Sequence, residues 1–137
     1  MIDMSLALAL REAGLQWEPE AGDRFTVTAP EMAGDIFHLA DMVIEARRLE
    51  TGTIFAFNGT TEWALDSVDQ DKTVWLPGES HLRVALGPAF RALERGDEGF
   101  VVTIDHPAGE HTFADEDVEN AYGNALLAVL TGGSPTG

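Results

Sequence analysis

The chain has 137 residues, 45% of them hydrophobic and 23% charged, with 24 acidic against 8 basic side chains and a formal net charge of −16. The hydrophobic share is that of a globular core, whereas the charge argues against direct binding to nucleic acid or anionic lipid and favours a basic partner or a bound cation. Cysteine is absent, which removes disulfides, thiol nucleophiles and Cys-ligated zinc.

Residues 4–13 read as a helix that Asp3 or Ser5 caps and Gly14 ends, with Leu and Ala on nearly every face. Its apolar run, Leu6–Leu10, follows acidic Asp3 and meets Arg11 too soon for a signal peptide. No stretch approaches about 20 apolar residues, so the chain is expected to be cytoplasmic and to span no membrane. Trp17 and Pro19 open an irregular stretch, Phe25–Val27 is a short strand, and Ala29–Gly34 is a loop. Residues 36–49 fit either a helical face (Ile36, Leu39, Ala40, Val43) or two strands, Ile36–Leu39 and Met42–Leu49, bent at Asp41. Strands are favoured, because Thr51-Gly52 then turns the chain into the clear strand Thr53–Phe57, an adjacent hairpin partner.

Asn58-Gly59 marks a sharp turn, and Thr60 or Thr61 caps a short helix through Val68 that carries Trp63 and Leu65. Asp69–Lys72 is polar loop, and Thr73–Leu76 is extended until Pro77-Gly78. A helix starting at Glu79 or Ser80 runs to Leu86, where Gly87-Pro88 stops it. Phe90–Arg95, Gly99–Asp105 and His111–Phe113 read as a meander with turns at Gly96–Glu98 and Pro107–Glu110. The last helix runs from Asp115 to Leu130, with its acidic first turns matched to the helix dipole. Val118, Ala121, Tyr122, Ala125, Leu126 and Val129 form its apolar face. Residues 132–137 are a flexible tail. With no repeat or linker, residues 1–131 are expected to form a single α+β domain. Its antiparallel sheet would have about five to six strands, with the N- and C-terminal helices packed together on one face.

The segment Phe57-Asn-Gly-Thr-Thr-Glu-Trp-Ala-Leu-Asp-Ser-Val68, then Val74-Trp-Leu-Pro77, and the opening Leu8-Ala-Leu-Arg-Glu-Ala-Gly-Leu-Gln-Trp17 carry a resemblance. Together they resemble a family of small acidic actinobacterial proteins, up to Leu130. Members commonly bear the label "pilus assembly protein CpaE". A genuine CpaE protein has an ATPase-like domain whose P-loop needs a Lys within a Gly-rich turn. The one lysine here, Lys72, lies in Asp-Gln-Asp-Lys-Thr without a Gly. The resemblance implies strands over residues 36–57, an α+β fold and a bacterial cytoplasm, and it assigns no site residue.

Candidate chemistry is sparse. His106 and His111 flank the hairpin loop Pro107–Glu110, with Asp105 and Glu110 adjacent; two His and a carboxylate suit a divalent metal, against the plainer reading of a polar hairpin tip. Glu62 and Asp66, four apart on the expected short helix, share a face and could do acid–base work if one pKa were raised, but a solvated helix face is the default. Ser80 precedes His81, yet Gly78-Glu-Ser-His-Leu82 misses the G-x-S-x-G pattern, and Ser80 reads as an N-cap. The acidic excess is spread along the chain rather than along one face, which argues against DNA mimicry.

Trp63 and Trp75 are either core or binding residues. If the Asn58–Trp63 segment and Trp75 emerge at the same sheet edge, they line one groove together with Glu62 and Asp66. The expected function is a non-enzymatic protein-interaction or regulatory module with a protein partner and no cofactor or metal. The alternative is a small-molecule-binding protein or hydrolase with its pocket near Trp63 and Trp75, carrying the carboxylates Glu62 and Asp66.

Overall fold

The computed structural model describes residues 1–28, 35–39, 44–49, 52–57, 67–69, 72–107 and 109–132, with 44–49, 54–57 and 67–69 as backbone. The chain divides into two compact units: residues 1–16 with 77–137, and residues 17–76.

In the first unit, helix α1 (Met4–Glu12) precedes helix α2 (Glu79–Leu86). A meander follows, with strands β7 (Phe90–Gly96), β8 (Gly99–His106) and β9 (Gly109–Asp115), and then helix α3 (Val118–Thr131). The strands pair antiparallel in the order β7-β8-β9. Helix α3 lies across β8 and β9, and α1 and α2 both pack against α3. Leu10, Leu82, Leu86, Val102, Ile104, Tyr122, Ala125 and Leu126 are buried and form the core. Alternation along β8 puts Val102 and Ile104 on the helix-covered face, with Val101, Thr103 and Asp105 on the opposite face. The Phe90 ring stacks on Tyr122 at 5.8 Å.

Local chemistry sets the helix ends. Asp117 caps α3, its side chain accepting from the backbone N–H of Glu119 and Asn120. The helix therefore begins at Val118, after the expected start, because Asp115 still belongs to β9 and accepts from the Asp117 N–H through Oδ1. Asp3 holds the N-cap position of α1 without a side-chain cap bond. Gly87, at φ 55°, ends α2 as its stop signal predicts.

In the second unit, strands β1 (Arg24–Val27), β2 (Ile36–His38) and β6 (Thr73–Leu76) form a sheet in the order β2-β1-β6. Strands β3 (Ile44–Leu49), β4 (Gly52–Phe57) and β5 (Ser67–Asp69) form another, in the order β3-β4-β5. The ambiguity over residues 36–49 resolves to strands at Ile36–His38 and Ile44–Leu49, with Leu49 opposite Gly52 in register, while residues 40–43 lie outside the described residues. Phe25, Val27, Phe37, Leu39, Val74 and Leu76 are buried.

The α+β class holds, with N- and C-terminal helices packed together. The sheet arrangement differs from expectation: the strands form three-stranded antiparallel sheets instead of one sheet of five to six. The reason is local pairing, since β3-β4-β5 and β7-β8-β9 each pair with their neighbours in sequence. A second correction concerns residues 67–69: Ser67 and Val68, expected in a helix, and Asp69, expected in a loop, are the strand β5, paired with Ile54–Ala56. Hydrogen bonding to an existing strand outweighed the weak helical pattern there. The rest of that expected helix and the tail beyond Gly132 lie outside the described residues. Among the described residues, no helix is long and apolar enough to cross a membrane.

Candidate functional site: an aromatic row built on the β2-β1-β6 sheet

Register places Phe25 directly opposite Phe37 on one side and Trp75 on the other. Residues opposite one another share a face, so Phe37, Phe25 and Trp75 form one row across the sheet. The Phe25 and Phe37 rings stack at 5.5 Å, and both are buried. Trp17, from the irregular stretch before β1, completes the row. Its indole lies parallel to that of Trp75, with centroids 5.9 Å apart and planes 4° from parallel, and it leans on Phe25 at 5.9 Å. Such offset geometry is favourable for aromatic pairs beyond the area it buries. Trp17 and Trp75 are each half-buried, so the indole pair is the part of the row that reaches the surface.

A buried carboxylate anchors Trp17. Asp23, 6% exposed, accepts through Oδ2 from Trp17 Nε1 at 2.8 Å and from the Glu20 N–H at 3.0 Å. The backbone of Asp23 is held in turn, its carbonyl accepting from the Leu39 N–H at 2.8 Å. The fold therefore sets the position of Trp17 by a directional bond as well as by packing.

Of the residues singled out from the sequence, Trp75 is in this row, while Asn58, Glu62, Trp63 and Asp66 lie outside the described residues. Trp17 was not singled out from the sequence, because its bond to the buried Asp23 exists only in the folded chain.

The two histidines do come together. Their rings meet edge to face at 4.9 Å, because Ile104 pairs with His111 and His106 pairs with Gly109, which puts both imidazoles on the helix-covered face of the sheet. The carboxylates meant to join them do not: Asp105 pairs with Glu110, one residue out of phase, so both project from the opposite face. Among the described residues no cluster of three or more His, Asp or Glu could hold a metal ion. The turn is also tighter than expected, the strands extending to His106 and Gly109.

Ser80 is not the cap of α2. Gly78 holds that position, its N–H donating to Nδ1 of His81 at 3.3 Å, while Ser80 is exposed within the helix. Burial pushes the Tyr122 hydroxyl's pKa up, reinforced by Glu79 and opposed by Arg83, so the group stays neutral.

No family model matches this chain, and no solved structure matches it. The chain is similar to a curated relative, the transcription elongation factor GreA of Xanthomonas campestris pv. campestris, at 32% identity over 98 residues. The match covers 67% of this chain and spans 60% of the relative's length.

Proposed function

We propose that the chain is a non-enzymatic protein-interaction or regulatory module of the bacterial cytoplasm, with the Trp17–Trp75 pair as its docking platform. The observation that supports this reading is the half-buried, parallel indole stack, held by Asp23 and by the Phe25–Phe37 row. Large aromatic side chains fixed in advance lose little entropy on binding and dominate interface energetics. The net charge of −16 points to a partner with a basic surface.

The test is capture from a lysate of the host, with bound proteins identified by mass spectrometry. Wild type is compared with Trp17→Ala, Trp75→Ala and the milder Trp17→Phe, each checked for native circular dichroism. Since the curated relative is named a transcription elongation factor, the fraction enriched in transcription complexes is probed first. A stoichiometric partner lost with a folded tryptophan variant is expected. An identical set of captured proteins in every variant, or an empty wild-type lane, overturns the reading.

A further inference from the structure

We propose that the outer edge of β9 receives an extended, cationic segment of a partner protein as a fourth strand of the β7-β8-β9 sheet. The inference is independent of the tryptophan platform and rests on different residues.

The first observation is an unpaired edge. Strand β9 runs seven residues in unbroken register with β8, and among the described residues no strand pairs with its other side. In an antiparallel ladder every second residue turns its N–H and C=O away from the existing partner, so β9 presents a row of donors and acceptors outward. Folded proteins usually blunt such an edge with charged side chains (Lys above all), Pro or a bulge. The opposite edge strand, β7, has these devices: Arg91 and Arg95, and an irregularity between Phe90 and Ala92. Strand β9, Gly-Glu-His-Thr-Phe-Ala-Asp, has no Lys, Arg, Pro or bulge; its charged side chains, Glu110 and Asp115, are anionic and repel an acidic strand but not a cationic one.

The second observation fixes the chemistry of the occupant. On the face away from α3, Asp105 stands directly opposite Glu110, both exposed. Like charges opposite one another across a ladder are destabilising. On the β7 side Arg91 meets Asp105 at 3.5 Å. Across the sheet the row therefore reads cation, anion, anion, and stops at the open edge with Glu110. An added strand with Lys or Arg opposite Glu110 brackets the two anions between cations. The remaining outward-facing side chains on this face of β9, Thr112 and Ala114, are small and exposed and leave room for its side chains. A second copy of the chain is the poorer occupant: antiparallel pairing of β9 with itself sets Glu110 near Ala114 or Asp115 and supplies no cation.

The test uses two heptapeptides, one alternating Lys with Val and one alternating Glu with Val, added to the 137-residue chain and to Glu110→Lys. Amide hydrogen exchange and binding titration are the readouts. The Lys/Val peptide is expected to slow exchange at alternate β9 amides, with affinity falling about tenfold in Glu110→Lys and in high salt. The Glu/Val peptide is expected to prefer the Glu110→Lys variant. Absence of β9 protection at millimolar Lys/Val peptide, protection confined to other strands, or equal affinity for both chains overturns the proposal. So does a dimer by analytical ultracentrifugation whose β9 amides are already protected without peptide, since a second copy would then occupy the edge.

Discussion

Gly123 of α3 lies directly against Leu6 of α1: a methyl group added at Gly123 would sit 2.7 Å from Leu6 Cδ2 and 3.1 Å from Ile2 Cδ1. A buried glycine inside a helix is unfavourable by itself, so its presence here reflects the close approach of the two helices. Gly123→Ala gains about 1 kcal/mol of helix propensity but overpacks the contact by about 1–3 kcal/mol. The expected net effect is destabilisation by about 1 kcal/mol, read as a lower denaturant midpoint with an unchanged slope. Pairing it with Leu6→Ala should restore part of the loss, because the neighbouring side chain that must give way is gone.

Gly99 leaves no such room. Its φ of +132° is one that other residues rarely adopt, and a Cβ there would meet the backbone of Asp115 and Glu116, 2.6 Å from Glu116 Cα. Backbone cannot swing aside as a side chain can. Gly99→Ala is expected to cost about 2–4 kcal/mol through strain and overpacking together. Equal stability of Gly99→Ala and wild type in urea unfolding would refute this account of the turn between β7 and β8.

Asp23 ties Trp17 to the aromatic row. Asp23→Ala removes the acceptor used by both Trp17 Nε1 and the Glu20 N–H. Loss of a charged acceptor at a buried site is expected to cost about 2–4 kcal/mol. The local signature is a changed Trp emission maximum as the Trp17–Trp75 stack loosens. Asp23→Asn retains an acceptor and should fall between the two. A variant with wild-type fluorescence and stability would show that packing alone holds Trp17.

The pH dependence has two arms, both at Asp117. The Met1 amine donates to Asp117 Oδ2 and lies 3.4 Å from Glu119 Oε1. The hydrogen bond to Asp117 raises the amine's pKa above its ordinary 8.0, against the opposing effect of burial. Its contribution is complete below pH 8.0 and is lost as pH rises through the raised value. Partial burial pushes the Asp117 carboxyl up, but the hydrogen bonds from the Met1 amine and from the Asn120 and Glu119 N–H outweigh it and leave the pKa below 3.8. That contribution is present above pH 3.8 and is lost as pH falls through the lowered value. Relative to Asp117→Asn, the 137-residue chain is expected to show an added plateau of stability between these limits, declining at both ends. Asp117→Ala, which also removes the cap, is expected to cost about 1 kcal/mol more at neutral pH. Parallel pH profiles for wild type and Asp117→Asn would rule out this linkage.

Much of the secondary structure was legible because its signals are local. The Gly87-Pro88 stop, the alternation in Phe90–Arg95 and Gly99–Asp105 and the apolar stripe of Tyr122, Ala125 and Leu126 each specify an element from adjacent residues. The strand reading of Ile44–Leu49 held for the same reason, since its hairpin partner Gly52–Phe57 comes next in the sequence. Ser67–Asp69 was misread because its identity as a strand comes from pairing with Ile54–Ala56, and no pattern of three residues carries that information.

The candidate site was less visible. Trp75 was singled out from the sequence as one residue. That it shares a row with Phe25 and Phe37 depends on strand register, and that Trp17 lies flat on it depends on a bond to a buried Asp23. The two histidines show the same division. Their closeness followed from a hairpin the sequence announces, but register sent Asp105 and Glu110 to the other face, because side chains alternate with a period of two and one step in phase reverses every side chain. Composition and short-range pattern thus determined the charge, the fold class and most elements. Which side chains meet was decided by tertiary structure, through strand register and helix packing between residues far apart in the chain.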